Sequence, residues 1–298
     1  MTLATTATQF LQRQGLAKST LRSYEQILLP LLKKYGHWPV ELLDSQMLSE
    51  YLLEITHLSY TTHNHHQTVI NALLNFAVNS NYIKTNPIRQ LPKRKPECNK
   101  NEHNTDQTIH YLTTDQLSLL YKVIKINYRL YTIVKLLHST GARIDELLAM
   151  DLEQIDQKNY KFQVIGKGNL KRWCYYNKEA AIVLEKYLEY YRHQTHPALF
   201  TAQQPFSKEV TRVSYRTVNK DWKNLTQNHP LLEGVRLHDL RHTFATERVG
   251  LIGIEELRAL MGHKSITTTL CYQKVTSQKA EIAAQKAFQL LEKIPAKK

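Results

Sequence analysis

LHDLRHTFAT, residues 237–246, puts His238 and Arg241 three positions apart, so that on a helix both side chains leave from one face. An imidazole there can exchange a proton near neutral pH, and a guanidinium, always charged, can fork onto two oxygens of one phosphate. By itself such a pair is weak, because helices also carry His and Arg at this spacing on salt-bridged surfaces. Downstream comes MGHKSITTTLCYQK, residues 261–274, in which Gly262 ends a helix, His263 follows it and Tyr272 stands nine residues beyond His263. The chain holds 17 tyrosines, and taken singly Tyr272 reads as a packing residue with a satisfied hydroxyl.

Two upstream stretches change that reading. STGARIDELLAM, residues 139–150, supplies Arg143 at the start of a helix, after a Ser-Thr-Gly turn. YKFQVIGKGNLKRWCYY, residues 160–176, has two β-rich arms around GKGN, a hairpin signal with Gly166 and Gly168 at the turn and Lys167 at its tip. The order is then Arg143, Lys167, His238-x-x-Arg241, His263, Tyr272, and in order and interval it resembles the tyrosine recombinases, the family of Xer-type recombinases, phage integrases and Cre. The resemblance runs motif by motif from about residue 111 to 276 and more loosely through the N-terminal half.

That resemblance implies a metal-independent, site-specific DNA strand transferase. Arg143 and Arg241 would bind the non-bridging phosphate oxygens, where planar donors suit the geometry, and Tyr272 would attack in line to leave a 3′-phosphotyrosyl link and a free 5′-hydroxyl. The hairpin Lys167 would give the departing oxygen its proton, with Lys171 and Arg172 as rivals nearby. His238 would help accept the tyrosine proton, His263 would donate a hydrogen bond to the phosphate, and Glu146, one turn after Arg143, would brace that arginine or be a plain surface carboxylate. No cofactor and no metal are expected.

Pro92 to His110 is the clearest break in composition, an expected basic linker over residues 93–110. Before it, apolar residues recur at helical spacing near 3–14, 18–35, 45–57 and 61–80, so residues 1–92 read as a four-helix bundle, the core-binding (SAM-like) domain that the resemblance implies. In its second segment Leu21, Tyr24, Ile27, Leu28 and Leu31 form one stripe, and Pro30 should bend the helix or distort it locally. His63 and His66, in HNHH, share a helical face; with no Cys, Asp or Glu beside them they read as solvent or phosphate contacts rather than metal ligands. After the linker, Thr113 and Gln116 stand at capping-box spacing, and helical patterns return over 131–138, 143–150, 178–192, 214–226, 238–249 and 254–261. Residues 111–276 are thus expected to be an α-rich catalytic domain with a small antiparallel sheet, the DNA breaking-rejoining fold by resemblance. Residues 277–298 should form a helix striped with Ala280, Ala284, Ala287 and Leu291. By resemblance it docks on a neighbouring subunit; packing on its own domain is the alternative.

The formal charge of +14 points to a polyanionic partner, and residues 111–298 carry most of it, 29 Lys and Arg against 18 Asp and Glu. Lys93, Arg94, Lys95, Arg212, Arg216, Lys220 and Lys223 are candidate backbone contacts to double-stranded DNA carrying a specific target site. There is no apolar run long enough for a bilayer and no signal-like start, so a cytoplasmic protein without a membrane partner is expected. Cys98, Cys174 and Cys271 are odd in number and lack CxxC spacing, against a disulfide or zinc framework. By resemblance the protomers would be monomers or weak oligomers when free and a homotetramer on DNA, passing through a Holliday junction for resolution, integration or excision. The chain length suits a simple Xer-like two-domain member. A type IB topoisomerase-like relaxing enzyme and a catalytically silent DNA-binding regulator are the competing readings, and a nuclease using the histidines with a metal fails for want of clustered carboxylates. The nine-residue step from His263 favours cleavage by Tyr272 of its own subunit's phosphate over a neighbour's.

Overall fold

The computed structural model describes residues 1–97, 99, 102, 109–166, 171–273, 284–286 and 288–289. Cys98, the hairpin tip with Lys167 and Gly168, and the tail positions Ala280, Ala287 and Leu291 lie outside the described residues. Contacts divide the chain into two compact units, residues 1–107 and 108–298.

In the first unit the polar breaks become caps. Thr2 accepts a hydrogen bond from the Thr5 amide and opens α1 (Leu3–Leu11). The helix α2 (Lys18–Tyr35) runs through Pro30 without a break. Asp44 accepts from the Met47 amide at 2.8 Å and opens α3 (Ser45–Glu54), and Ser59 does the same for Thr62 at the start of α4 (Tyr60–Asn79). Each cap meets amides that have no partner within the helix. The faces turned inward carry Leu3, Phe10, Leu28, Leu31, Leu48, Ile70, Leu73 and Leu74, all essentially fully buried. At roughly 1.5–3 kcal/mol for each such side chain, this burial is what holds a small helical unit against its chain entropy.

The expectation that His63 and His66 face solvent or phosphate is overturned. Both are buried, and Nε2 of His63 lies 3.0 Å from the carbonyl of Leu52. They continue the inward face of α4 that bears Ile70, Leu73 and Ala77, so tertiary packing takes the histidines into the core.

The second unit opens with the capping box read from the sequence: Thr113 accepts from the Gln116 amide while the Gln116 side chain accepts from the Thr113 amide, starting α5 (Thr114–Ile124). Then come α6 (Tyr128–Thr140), α7 (Ile144–Leu148) and a three-stranded antiparallel sheet of β1 (Ile155–Asp156), β2 (Lys161–Ile165) and β3 (Lys171–Tyr175) in that order. Phe162 pairs with Cys174 and Val164 with Arg172, so Phe162, Val164 and Cys174 turn one face into the core. Next are α8 (Lys178–Tyr190), a two-stranded ribbon of β4 (Thr201–Gln203) and β5 (Val210–Arg212), and α9 (Tyr215–Thr226). The last described elements bounding the site are α10 (Asp239–Arg248), α11 (Ile254–Met261) and the single turn α12 (Thr267–Leu270). The ribbon was not foreseen, since three-residue strands are too short to show a period. The fold is mainly α with small antiparallel sheets. Among the described residues no helix is long and apolar enough to cross a membrane.

Candidate active site

The geometry of the site follows from how two helices end. Gly141 closes α6 at φ +63°, a conformation other residues adopt only with strain, and a Cβ there would lie 2.4 Å from the Phe244 ring. The bare glycine lets α6 end against α10, and its carbonyl accepts a hydrogen bond from Nη1 of Arg241. Gly262, also at φ +63°, closes α11, and there a Cβ would lie 2.7 Å from the Arg172 side chain. The carbonyl of Met261 just before it accepts from Nη2 of Arg241 at 2.5 Å, and that of Leu260 from Nε of Arg172 at 3.2 Å. The last carbonyls of a helix lack intrahelical partners and carry its negative end, so these guanidiniums sit where the helices favour cations.

Arg241 is only 3% exposed, and among the described residues no carboxylate pairs with it. Burial, followed by repulsion from Arg143 and Arg172, pushes it down to about 10. It stays charged at neutral pH, at a cost on the order of 3 kcal/mol for the charged form. A neighbouring anion would relieve that cost.

Glu146 ties the other two arginines together. Its Oε2 accepts from the Arg143 amide at 2.9 Å and from Nη2 of Arg172 at 2.6 Å; its Oε1 accepts from Nη1 of Arg143 at 3.0 Å and Nη1 of Arg172 at 2.9 Å. Burial works to raise this carboxyl, but the hydrogen bonds from Arg172 and Arg143 outweigh it and hold it below the usual range. The structure therefore gives Arg172 a bracing place, its guanidinium bonded to Glu146 and to Leu260 and largely buried, which removes it as a rival to Lys167. Arg143 remains half-exposed as the N-cap of α7. Lys171 is exposed at the start of β3.

His238 stands at the N-cap position of α10, without a capping hydrogen bond from its side chain. Although it is exposed, the protein around its ring and then Arg241 lower its pKa, with Arg236 and Arg143 adding to the effect. Buried Asp239 fixes the approach to α10 by accepting from the Arg236 amide at 2.8 Å. His263 is buried, with Nδ1 2.9 Å from the Thr269 hydroxyl, and burial with Arg241, Arg143 and Arg172 pushes it down to about 4. Its ring lies parallel to that of Tyr272, with centroids 6.4 Å apart. The Tyr272 phenol is pushed up to about 12, chiefly by burial and then by Cys271, while Arg241 and Arg143 act in the opposite sense.

The nearest partner of Tyr272 was missed by the sequence reading. Its hydroxyl lies 2.8 Å from Nδ1 of His242, not against His238. The signal was available: His242 is four residues after His238, hence on the same helical face as that histidine.

The basic candidates separate. Arg216, Lys220 and Lys223 are exposed on one face of α9, and Lys93 and Lys95 are exposed in the first unit. Arg94 is not free for a phosphate: its guanidinium donates to the carbonyls of Thr56 and Leu58 at 3.1 and 2.7 Å and to Glu97 and Glu102, each at 2.9 Å. Arg212 likewise donates to the carbonyls of Leu148 and Met150 and to Asp151. Both cations answer needs of their own folds, which a run of basic letters does not reveal.

Residues 110–279 match the phage integrase family. The tyrosine recombinase XerC of Lactobacillus delbrueckii subsp. bulgaricus is 30% identical over 162 residues, 52% of this chain and 54% of that protein, so the match spans about half the length of that relative. XerC of Staphylococcus carnosus is 25% identical over 276 residues, 88% of each chain. Among solved structures, the Tn1549 transposon integrase (residues 82–397) in complex with circular intermediate DNA superposes with a TM-score of 0.73 at 20% identity, covering 95% of this chain and 99% of that one, a likeness of fold. The family match takes in both glycine-closed helix ends, the arginines they hold and Tyr272, and because it spans more than half of the sequence the chain belongs to the phage integrase family.

Proposed function

We propose that the protein is a tyrosine-type site-specific DNA recombinase that cleaves and rejoins DNA through a 3′-phosphotyrosyl intermediate. One observation carries this reading: Arg241 is a buried cation held by carbonyl oxygens and no carboxylate among the described residues, with Arg143, His263 and the Tyr272 phenol close enough for their charges to interact. A phosphodiester supplies the missing anion. Arg143 and Arg241 neutralise its non-bridging oxygens as charge builds in the transition state, and His263 adds a hydrogen bond. Tyr272 attacks phosphorus and the 5′-oxygen leaves with a proton from the hairpin, by Lys167 on the family pattern.

The arginines do the work for which other phosphoryl-transfer sites use metal ions, so the reaction is metal-independent in this reading. Arg216, Lys220 and Lys223 on α9, with Lys93 and Lys95, contact the backbone of a double-stranded target. Four protomers assemble on two such sites and exchange strands through a Holliday junction. Residues 1–92 serve as the core-binding domain, 93–110 as a basic linker, 111–276 as the catalytic domain, and the tail from 277 docks on a neighbour.

The test is a selection of cleaved sites from a random duplex library, followed by a nicked version of the recovered site that traps the covalent intermediate. Wild type gives an adduct that survives detergent and is unaffected by EDTA, and Tyr272→Phe gives none. No wild-type adduct from the library, or an adduct that persists in Tyr272→Phe, sinks the proposal. Relaxation of plasmid without sequence preference would move the assignment to a type IB topoisomerase-like enzyme.

A further inference from the structure

The partner of the nucleophile carries an inference of its own. His242 follows Arg241 on α10, its ring edge-on to that of His238 at 4.8 Å and 88°, and Tyr272 lies on it at 5.7 Å between centroids with the hydroxyl 2.8 Å from Nδ1. A phenol that donates to Nδ1 requires that nitrogen to be unprotonated, which leaves the ring proton on Nε2. Building on the recombinase reading, we propose that His242 is the catalytic base that takes the Tyr272 proton as the phenol oxygen attacks the DNA phosphorus.

The step balances. The Oη–P bond forms and the P–O5′ bond breaks; the phenol proton moves to Nδ1 of His242; the 5′-oxygen receives a proton from the general acid. On rejoining, the 5′-hydroxyl attacks, its proton returns to that acid, and the His242 imidazolium restores the phenol. Geometry is the ground for choosing His242 over His238, since it is His242 that touches the oxygen whose proton must leave.

The electrostatic surroundings make the transfer depend on substrate. The charged or titratable groups around His242 are His238, Asp239 and Arg241 on its own helix, Arg236 before it, and Tyr272 and His263 beyond α11. Burial first, and then His238, Arg236 and Arg241 against the opposing Asp239, keep His242 down at about 4, so it is neutral and open to a proton at pH 7. With the phenol up at about 12, transfer in the free protein is strongly uphill. A phosphate against Arg241 and Arg143 cancels part of the positive field, so His242 gains basicity only when the target is in place.

The test uses full-length protein and the nicked duplex recovered by selection, in two forms: one ordinary, the other with sulfur in place of the bridging 5′-oxygen, which leaves without needing a proton. Single-turnover adduct rates are measured across the pH range for wild type, His242→Ala and His242→Gln, with thermal melts to verify folding; Gln keeps a hydrogen-bonding group but cannot carry the proton. The expectation is a wild-type rate that is level around neutral pH and a loss of about 10²–10⁴-fold in both variants. Their rates should climb about tenfold per pH unit as hydroxide replaces the imidazole, and sulfur should not rescue them. An unchanged rate, a loss that is the same at every pH, or rescue by sulfur overturns the proposal. Absence of any wild-type adduct would instead bring down the recombinase reading, so the two failures are told apart.

Discussion

In the N-terminal unit His63 and His66 lie inside a helical core, while in the C-terminal unit His263 lies beside Arg143, Arg172 and Arg241, and His242 beside Arg236 and Arg241. The difference is in the polar atoms. Among the described residues, the buried side-chain atoms without a hydrogen-bond partner are Tyr51 Oη, His63 Nδ1, His66 Nδ1 and Gln67 Oε1, all in the first unit. In the second unit the buried guanidiniums, Glu146, His263 and Thr269 are bonded to one another or to helix-end carbonyls. Packing tolerates a histidine with one ring nitrogen unpaired; a site built to bind an anion would hold each polar group in a set place.

The sharpest way to break this comparison is to remove the hub of the C-terminal network. Glu146→Ala leaves Arg172 and Arg143 without their shared carboxylate and should lower stability by about 3–5 kcal/mol, read as a fall in the urea midpoint. An unchanged midpoint would mean the arginines do not depend on one another. The pH dependence has a definite sign: with its folded pKa depressed, Glu146 contributes stability that is present above the ordinary glutamate range, about pH 4.3, and lost as pH falls through the lower folded value.

The N-terminal cluster should respond more weakly and to pH. Burial, with His65 and His63 beside it, lowers the His66 pKa, so between its folded value and about 6.5 the unfolded chain binds the extra proton and stability falls as pH drops. His66→Leu should flatten that slope and recover stability near pH 5 while changing little above pH 7. Melts at the two pH values check it, and equal slopes in the two proteins would count against a neutral filler.

The smallest effect separates two adjacent cations of the first unit. Lys93→Ala should lower the slope of log affinity against log salt for DNA by about one unit, whereas Arg94→Ala should leave the slope alone, because its guanidinium is bonded within the protein. Filter binding across a salt series distinguishes them; equal slope losses would show Arg94 reaching the DNA.

What could be read in advance was whatever depends on neighbours in sequence. The Thr113–Gln116 box, the glycine ends at 141 and 262, the β2–β3 hairpin arms and the helix bearing His238 and Arg241 are local signals, and the helical segments fell within a few residues of α1 to α11. What escaped depends on remote contacts. Arg172 looked like a rival acid because Glu146 and Leu260, 26 and 88 residues away, were not visible from its own stretch. His63 and His66 were read as exposed although Ile70 and Leu73 continue their face, because residue type was given more weight than helical phase. His242 falls outside the His238-x-x-Arg241 pair, and its contact with Tyr272, 30 residues on, is not visible from its own stretch.

The hydrogen bond from Arg241 to the Gly141 carbonyl spans 100 residues, and the one to Met261 another 20. On a growing chain, synthesised from the N-terminus, α6 is complete long before either of its partners exists. Until α11 has emerged, Arg241 lacks half of its cradle. A chain stopped before α11 lacks the Met261 carbonyl that holds one side of the Arg241 guanidinium, and on the recombinase reading it would have no nucleophile until synthesis had passed Tyr272.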